Sequence, residues 1–487
     1  MSPVDTPRAK NLALALLAMT QFVVVLDAAI VNVALPSIGR DLDFARDDLS
    51  WVVNAYTLVF GGFLLLGGRL SDLLGRRRMY IWGMVLFALA SLAGGLAQSD
   101  VWLVAARAVQ GLGAAIVSPA ALSIVTTTFT EGAERNRALG VWGAVAGSGG
   151  AAGVLLGGIL TETLGWEWVL FVNTPIGIAA ALLAPRLLDE SRDASSPSFD
   201  FAGAFSVTAG LALLVYTLVD ANDAGWGSAQ TLGLGAISVL LLAAFIVIEA
   251  RRRYPLMPFS IFRLRTLRGA NVVGLLIGMS LFSMFFFISL YMQQVLDYEP
   301  LTAGLAYLPL ALTIIVSAGV ASQLVTRVGF KPTLIAGMLL VAAGLIWFGQ
   351  VSAPGGSYLG DILFPSLLAA VGLGFAFVPV TIASVTGTRP DEAGLASGLI
   401  NTSQQVGGAL GLAVLATVAT GRTDDVFASG ERNPAVALTE GFQDAFLAGA
   451  GLALLGALLA AVLISSKDSR EHSEAARREA AGEPVTA

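Results

Sequence analysis

Fourteen stretches of about 20 residues run through this chain almost without charge. Length and apolarity of that kind suit a helix that crosses a bilayer. They lie near residues 12–36, 50–69, 79–98, 101–123, 138–160, 168–187, 203–220, 230–249, 271–293, 302–325, 333–350, 359–382, 395–419 and 442–464. Inside hydrocarbon every backbone N–H and C=O must find its partner within the protein, and a helix does this by itself. Charged residues make up only 13% of the chain, against about 25% in ordinary soluble domains. The expected fold class is therefore an all-α polytopic membrane protein. The polar segments near 188–202, 250–270, 421–441 and 466–487 are each too short to fold as a domain. The first stretch is too long for a cleaved signal peptide, and no small-residue cleavage site follows it.

The cations tell which way the helices run. Both termini and the even-numbered connections hold 23 of the 28 Lys and Arg. Odd-numbered connections hold only Arg40, Arg46, Arg422 and Arg432, and Arg107 falls inside a stretch. Positive charge marks the cytoplasmic side, so both termini are predicted to be cytoplasmic, which requires an even number of spans. Acids divide almost evenly, leaving the inner face near +7 and the outer face near −13. The net charge of −6 hides this polarity, and no basic domain exists to bind nucleic acid. Cysteine is absent and the single histidine, His472, lies in the 466–487 segment, read as a solvated polar cytoplasmic tail. A disulfide scaffold, a thiolate or histidine metal site and a histidine-based triad are excluded, so neither a cofactor nor an enzyme is expected. A phosphate-binding G-x-x-x-x-G-K-[ST] loop is also missing, which argues against ATP drive.

Two ionisable residues remain inside the membrane, where such groups are costly and usually functional. Asp27 lies about 22 Å along its helix from the cytoplasmic side, and Arg107 about 9 Å from the outer side. In a core of about 30 Å these are nearly one level, so the two can pair. Such a pair is either a static packing device or a proton-binding carboxylate with a mobile partner. Uncharged polar residues join them: Gln21 and Asn32 in the first stretch, Asn54 and Tyr56 in the second, Gln110 in the fourth, Gln294 at the end of the ninth, Asn401 and Gln405 in the thirteenth. With Phe286 they are the candidate lining of a polar internal path, although any one of them also suits interhelical bonding. Gly149, Gly153 and Gly157 form a small-x-x-x-small ridge for either tight packing or helix flexing.

The run Gly68-Arg69-Leu70-Ser71-Asp72-Leu73-Leu74-Gly75-Arg76-Arg77-Arg78 closely resembles the loop between the second and third spans of the major facilitator superfamily. Leu26-Asp27-Ala28-Ala29-Ile30-Val31-Asn32-Val33-Ala34-Leu35-Pro36, Arg107-Ala108-Val109-Gln110-Gly111-Leu112-Gly113 and Phe171-Val172-Asn173-Thr174-Pro175-Ile176-Gly177 resemble motifs of its 14-span drug:proton antiporter family. A degraded copy of the Asp72 loop, Leu324-Val325-Thr326-Arg327-Val328-Gly329-Phe330-Lys331, echoes the first half without the acid.

The resemblance implies two six-helix bundles, at 12–187 and 271–464, with two additional helices at 203–249 between them. It implies alternating access, with Asp27 and Arg107 coupling protons and with Gly68, Asp72, Gly75 and Arg76 gating. The function implied is secondary export of small amphipathic organic compounds, such as drugs or antibiotics, in exchange for protons. The alternative on the same fold is proton-coupled import of a small metabolite. The partners implied are substrate, protons and the lipid bilayer, with a monomer as the working unit. The use of 25 Arg against 3 Lys suits a high-GC bacterium, hence a bacterial inner membrane. One departure stands out: Gly153-Val154-Leu155-Leu156-Gly157-Gly158 has valine where the antiporter motif has proline.

Overall fold

The computed structural model describes residues 6–44, 49, 51–129, 132–192, 200–252, 255, 257–353, 355–389 and 392–480, and among them there is no strand. The first six spans are α1 (Pro7–Asp41), α2 (Trp51–Leu74), α3 (Arg76–Gly95), α4 (Asp100–Thr128), α5 (Ala133–Thr163) and the broken pair α6 (Trp168–Phe171) and α7 (Asn173–Leu187). Then come α8 (Phe201–Ala224) and α9 (Ala229–Arg251). The last six are α10 (Arg265–Gln294), the pair α11 (Pro300–Ala306) and α12 (Leu308–Val328), α13 (Phe330–Phe348), α14 (Phe364–Val385) entered through a π-helical turn, α15 (Ala393–Ala428) and α16 (Pro434–Leu463).

Thirteen of these are long and apolar enough to cross a membrane, and α5 makes a fourteenth as two segments bent by 43°. Each expected stretch is thus helical. Short polar residues start several helices by accepting an orphan backbone N–H, as Thr6 does from Ala9 and Ser99 from Trp102. The bend in α5 falls between Gly150 and Ala152, next to Gly153 and without a proline.

Packing follows two sets. In the first, α4 lies against α2 and α3, and α5 against α1; in the second, α14 lies against α12 and α13, and α10 against α15 and α16. The sets meet through α2 with α15 and through α5 with α12 and α14. The α8–α9 pair rests on α2 and α15 through α8, leaving α9 mostly uncovered.

The tail departs from its expected solvated state. Ser466–Ala480 forms a helix, α17, that docks on α12, α13 and α5, with Ser469, Ser473 and Ala476 buried. Polar bonds hold it: Ser469 Oγ accepts the Lys331 N–H at 3.0 Å, and His472 Nε2 meets Asn136 Oδ1 at 2.9 Å. The His472 ring also packs edge-on against Phe330. Its charged composition conceals these contacts, because the docked face is serine, alanine and one histidine rather than an apolar stripe.

Candidate functional site

Asp27 and Arg107 meet in the interior, each with no exposed surface. Arg107 Nη1 donates to Asp27 Oδ2 at 2.6 Å and to Gln110 Oε1 at 2.7 Å, while its Nε donates to the Val52 carbonyl at 3.0 Å. The other carboxylate oxygen, Oδ1, accepts from Gln110 Nε2 at 2.8 Å and from Asn173 Nδ2 at 2.6 Å. Ser91 Oγ accepts from both amides and donates to the Leu170 carbonyl at 2.8 Å. The guanidinium carbon stands 4.4 Å from the centre of the Tyr56 ring, a cation–π contact, and Tyr56 donates to the Val24 carbonyl.

Five helices build this cluster: α1 brings the acid, α4 the guanidinium and one amide, α7 the second amide, α3 the serine, and α2 the Val52 carbonyl and the Tyr56 ring. An ion pair this deep persists only when the remaining lone pairs and protons are bonded, which is what Gln110, Asn173, Ser91 and Val52 do. Two buried polar atoms are left over, Arg107 Nη2 and Asn173 Oδ1.

Sequence reasoning nominated Asp27, Arg107, Gln110 and Tyr56 and missed Ser91 and Asn173. Asn173 carried a signal, a polar side chain in a span beside a proline. Ser91 carried none, since a serine in an apolar run is ordinary. Of the remaining nominees, Gln21 joins α1 to α4 by accepting from Ser118 at 3.0 Å. Asn54, Asn401 and Gln405 are half-buried on α2 and α15. Asn32, Phe286 and Gln294 are exposed, and the Asn32 amide turns back to the Ala28 and Ala29 carbonyls of its own helix. None of these nominees lines the cavity of about 670 Å³ found between α5 and α12. Gly149, Gly153 and Gly157 face α1; a Cβ on Gly153 would lie 2.7 Å from the Leu26 carbonyl oxygen, next to Asp27.

A second polar centre lies near the ends of the helices on the side of the chain termini. Asp72, buried at the end of α2, accepts from the backbone N–H groups of Gly394 (3.1 Å) and Leu395 (3.0 Å). It thereby caps the N-terminus of α15 from the other half of the molecule, where a negative charge is favoured. Arg76 Nη2 bonds the same carboxylate at 2.8 Å and is steadied by Ser191. Gly75 turns the chain at φ 111°, a conformation that suits glycine. Gly68 permits the approach of α15: a Cβ there would stand 2.6 Å from the Gly394 carbonyl oxygen.

The Major Facilitator Superfamily profile matches residues 17–412. The chain belongs to the major facilitator superfamily. It is a membrane transporter of small molecules and not an enzyme. It is 43% identical to the cephamycin export protein CmcT of Amycolatopsis lactamdurans, covering 93% of this chain and 92% of that one. It is 40% identical to the puromycin resistance protein pur8 of Streptomyces alboniger, with 92% and 90% covered. Among solved structures, the human organic anion transporter MFSD10 shares its fold, with a TM-score of 0.67 at 18% identity over 94% of this chain and all of that one.

Proposed function

We propose that this superfamily member exports small amphipathic organic compounds from a bacterium in exchange for protons. It would sit in the inner membrane with both termini cytoplasmic and work as a monomer. The 12–187 and 271–464 segments are the two bodies that rock against each other, with 203–249 as an accessory pair. The observation that carries this reading is the buried Asp27 carboxylate, which receives three hydrogen bonds from Arg107, Gln110 and Asn173. The names of the two relatives, one for cephamycin export and one for puromycin resistance, support the direction and the substrate class.

The geometry gives protonation a structural consequence. Every hydrogen-bond neighbour of the carboxylate donates to it. A proton on Asp27 needs an acceptor, and the unpartnered Oδ1 of Asn173 supplies one if its amide turns over. The turn replaces the Asn173 donation by an acceptance, and the proton itself removes the counter-charge from Arg107. Proton binding therefore loosens α1 from α4 while α1 keeps a bond to α7, and that change is the coupling that antiport needs. In this reading the Asp72 cap on α15 is the gate on the cytoplasmic side.

One proton crossing about 150 mV supplies roughly 3.5 kcal/mol, enough for an accumulation ratio of a few hundred. The test is proton-release fluorescence in proteoliposomes against a chemically varied compound panel. Exported compounds should trigger proton release in the native chain and none in Asp27→Asn, with insertion unchanged by size-exclusion profile. Full gradient-driven transport by that variant would remove Asp27 as the carrier. Uptake into inverted vesicles supports export, and uptake only into right-side-out vesicles reverses the direction.

A further inference from the structure

The cavity of about 670 Å³ is a groove on the outside of the seam between α5 and α12. Val141, Ala144, Ile315 and Gly319 give it an apolar floor that Phe22 of α1 extends. It opens sideways, because Ile315 is 46% exposed and its neighbours Leu312, Val316 and Val320 on α12 face outward too. On a spanning helix that surface meets lipid tails. At the end nearest the chain termini the lining changes to Arg137 and Arg327. Both are exposed, and neither has a hydrogen bond or ion pair among the described residues. Glu134, the acid closest to Arg137 in sequence, is occupied by Lys10 at 2.8 Å.

We propose that this groove binds an anionic phospholipid, with its phosphate between Arg137 and Arg327 and an acyl chain along the floor. Basic pockets between spanning helices at headgroup depth select anionic lipids. The apolar floor and sideways mouth fit a lipid of the adjoining leaflet, whereas the Asp27 cluster is closed off in the interior. The two arginines belong to opposite halves, Arg137 near the start of α5 and Arg327 near the end of α12. One phosphate bridging them ties the halves together on the same side as the Asp72 cap, so the lipid favours the closed seam described here. This site does not depend on the export reading and stands or falls separately.

The experiment is native mass spectrometry of the full chain released from nanodiscs of equal phosphatidylglycerol and phosphatidylcholine. The native chain should retain phosphatidylglycerol over phosphatidylcholine by about tenfold. The Arg137→Gln/Arg327→Gln variant should lose that preference, while Arg186→Gln, which removes an exposed cation elsewhere on the same side, should keep it. A third variant, Gly319→Phe, fills the floor with both cations in place; a Cβ there meets nothing within 4 Å, so the fold has room for it. It should lower retention as well. Equal retention by the double variant, equal loss in Arg186→Gln, or equal binding of phosphatidylcholine by the native chain overturns the proposal. Unchanged retention by Gly319→Phe overturns the acyl placement.

Discussion

Asp72 stands three residues before Gly75 (φ 111°), and Thr326 three residues before Gly329 (φ 91°). Each reaches across the seam to the first turn of a helix in the other half. Asp72 takes the N–H groups of Gly394 and Leu395 on α15, while Thr326 Oγ1 takes Asn136 Nδ2 on α5 at 3.1 Å. Two residues after the glycine, the likeness continues. Arg77 donates to the Leu188 carbonyl at the end of α7, and Lys331 to the Ile464 carbonyl at the end of α16. In both places a cation meets the negative end of a helix. One backbone device is thus used twice, charged across the seam in the first half and neutral in the second. Deeper down the contrast sharpens. Among the described residues 265–463, every buried polar side chain is uncharged (Ser, Thr, Asn or Tyr), whereas the first half buries Asp27, Arg69, Asp72, Arg76 and Arg107. The repeated scaffold carries the packing of both halves, and among the described residues of the two halves the buried carboxylates and guanidinium groups are confined to the first.

The most severe way to break this comparison is to disarm the ionic centre. Arg107→Ala leaves Asp27 buried without its partner and is expected to cost about 3–5 kcal/mol of stability, read by thermal unfolding in detergent. Asp27→Asn combined with Arg107→Gln removes both charges and should regain most of that loss. The same double variant should let the accumulation ratio fall from a few hundred to about one. If it still accumulates substrate under a pH gradient, coupling is not confined to the first half.

That centre was half legible in the sequence. Asp27 and Arg107 are conspicuous because charge in a span is rare, and 1.5 Å per residue places them at one depth. Gln110 follows Arg107 by three residues and shares its helix face. The contributions of Ser91 and Asn173 depend on how α3 and α7 rotate about their axes, which is set by glycine-mediated packing that spacing alone does not disclose. The spans were legible because apolar length is a direct physical requirement of a bilayer. The tail was not, because its docking rests on individual hydrogen bonds to Asn136, Lys331 and Thr266, and a polar helix bound in this way has the composition of a solvated one.

Asp72→Asn comes next in size. It weakens the cap on α15 and leaves Arg76 without its buried counter-charge, shifting the halves toward opening on the terminal side by about tenfold. The chain has no cysteine, so a single introduced pair on α2 and α15 reports the distance without a prior substitution. Turnover should slow while substrate affinity changes little. The neutral counterpart should matter less. Asn136→Ala and Thr326→Val each remove the uncharged bond between these two residues, worth about 1 kcal/mol, the former also releasing His472, and should shift the same distance signal by about fivefold or less. A larger effect from either than from Asp72→Asn would mean that charge is not what distinguishes the two seams.

The smallest effect should come from His472. Its ring nitrogen engages Asn136 Oδ1, the one side-chain atom of Asn136 not used by Thr326, so α17 secures the neutral seam at second hand. His472→Ala opens Asn136 Oδ1 to water, which replaces most of what is lost, and the shift should be about twofold. Removing residues 466–487 goes further, because it also deletes the Ser466 and Ser469 contacts to Lys331. Lys331 then keeps the carbonyl at the end of α16, the contact Arg77 has at the end of α7, where Glu190 adds an ion pair at 3.8 Å. The truncated chain should therefore move the second-half seam closer to the first in its cation contacts while leaving it without an acid. Its opening should exceed that of His472→Ala and stay below that of Asp72→Asn. An opening equal to that of Asp72→Asn would make the docked tail, rather than the missing acid at Thr326, the feature that separates the two halves.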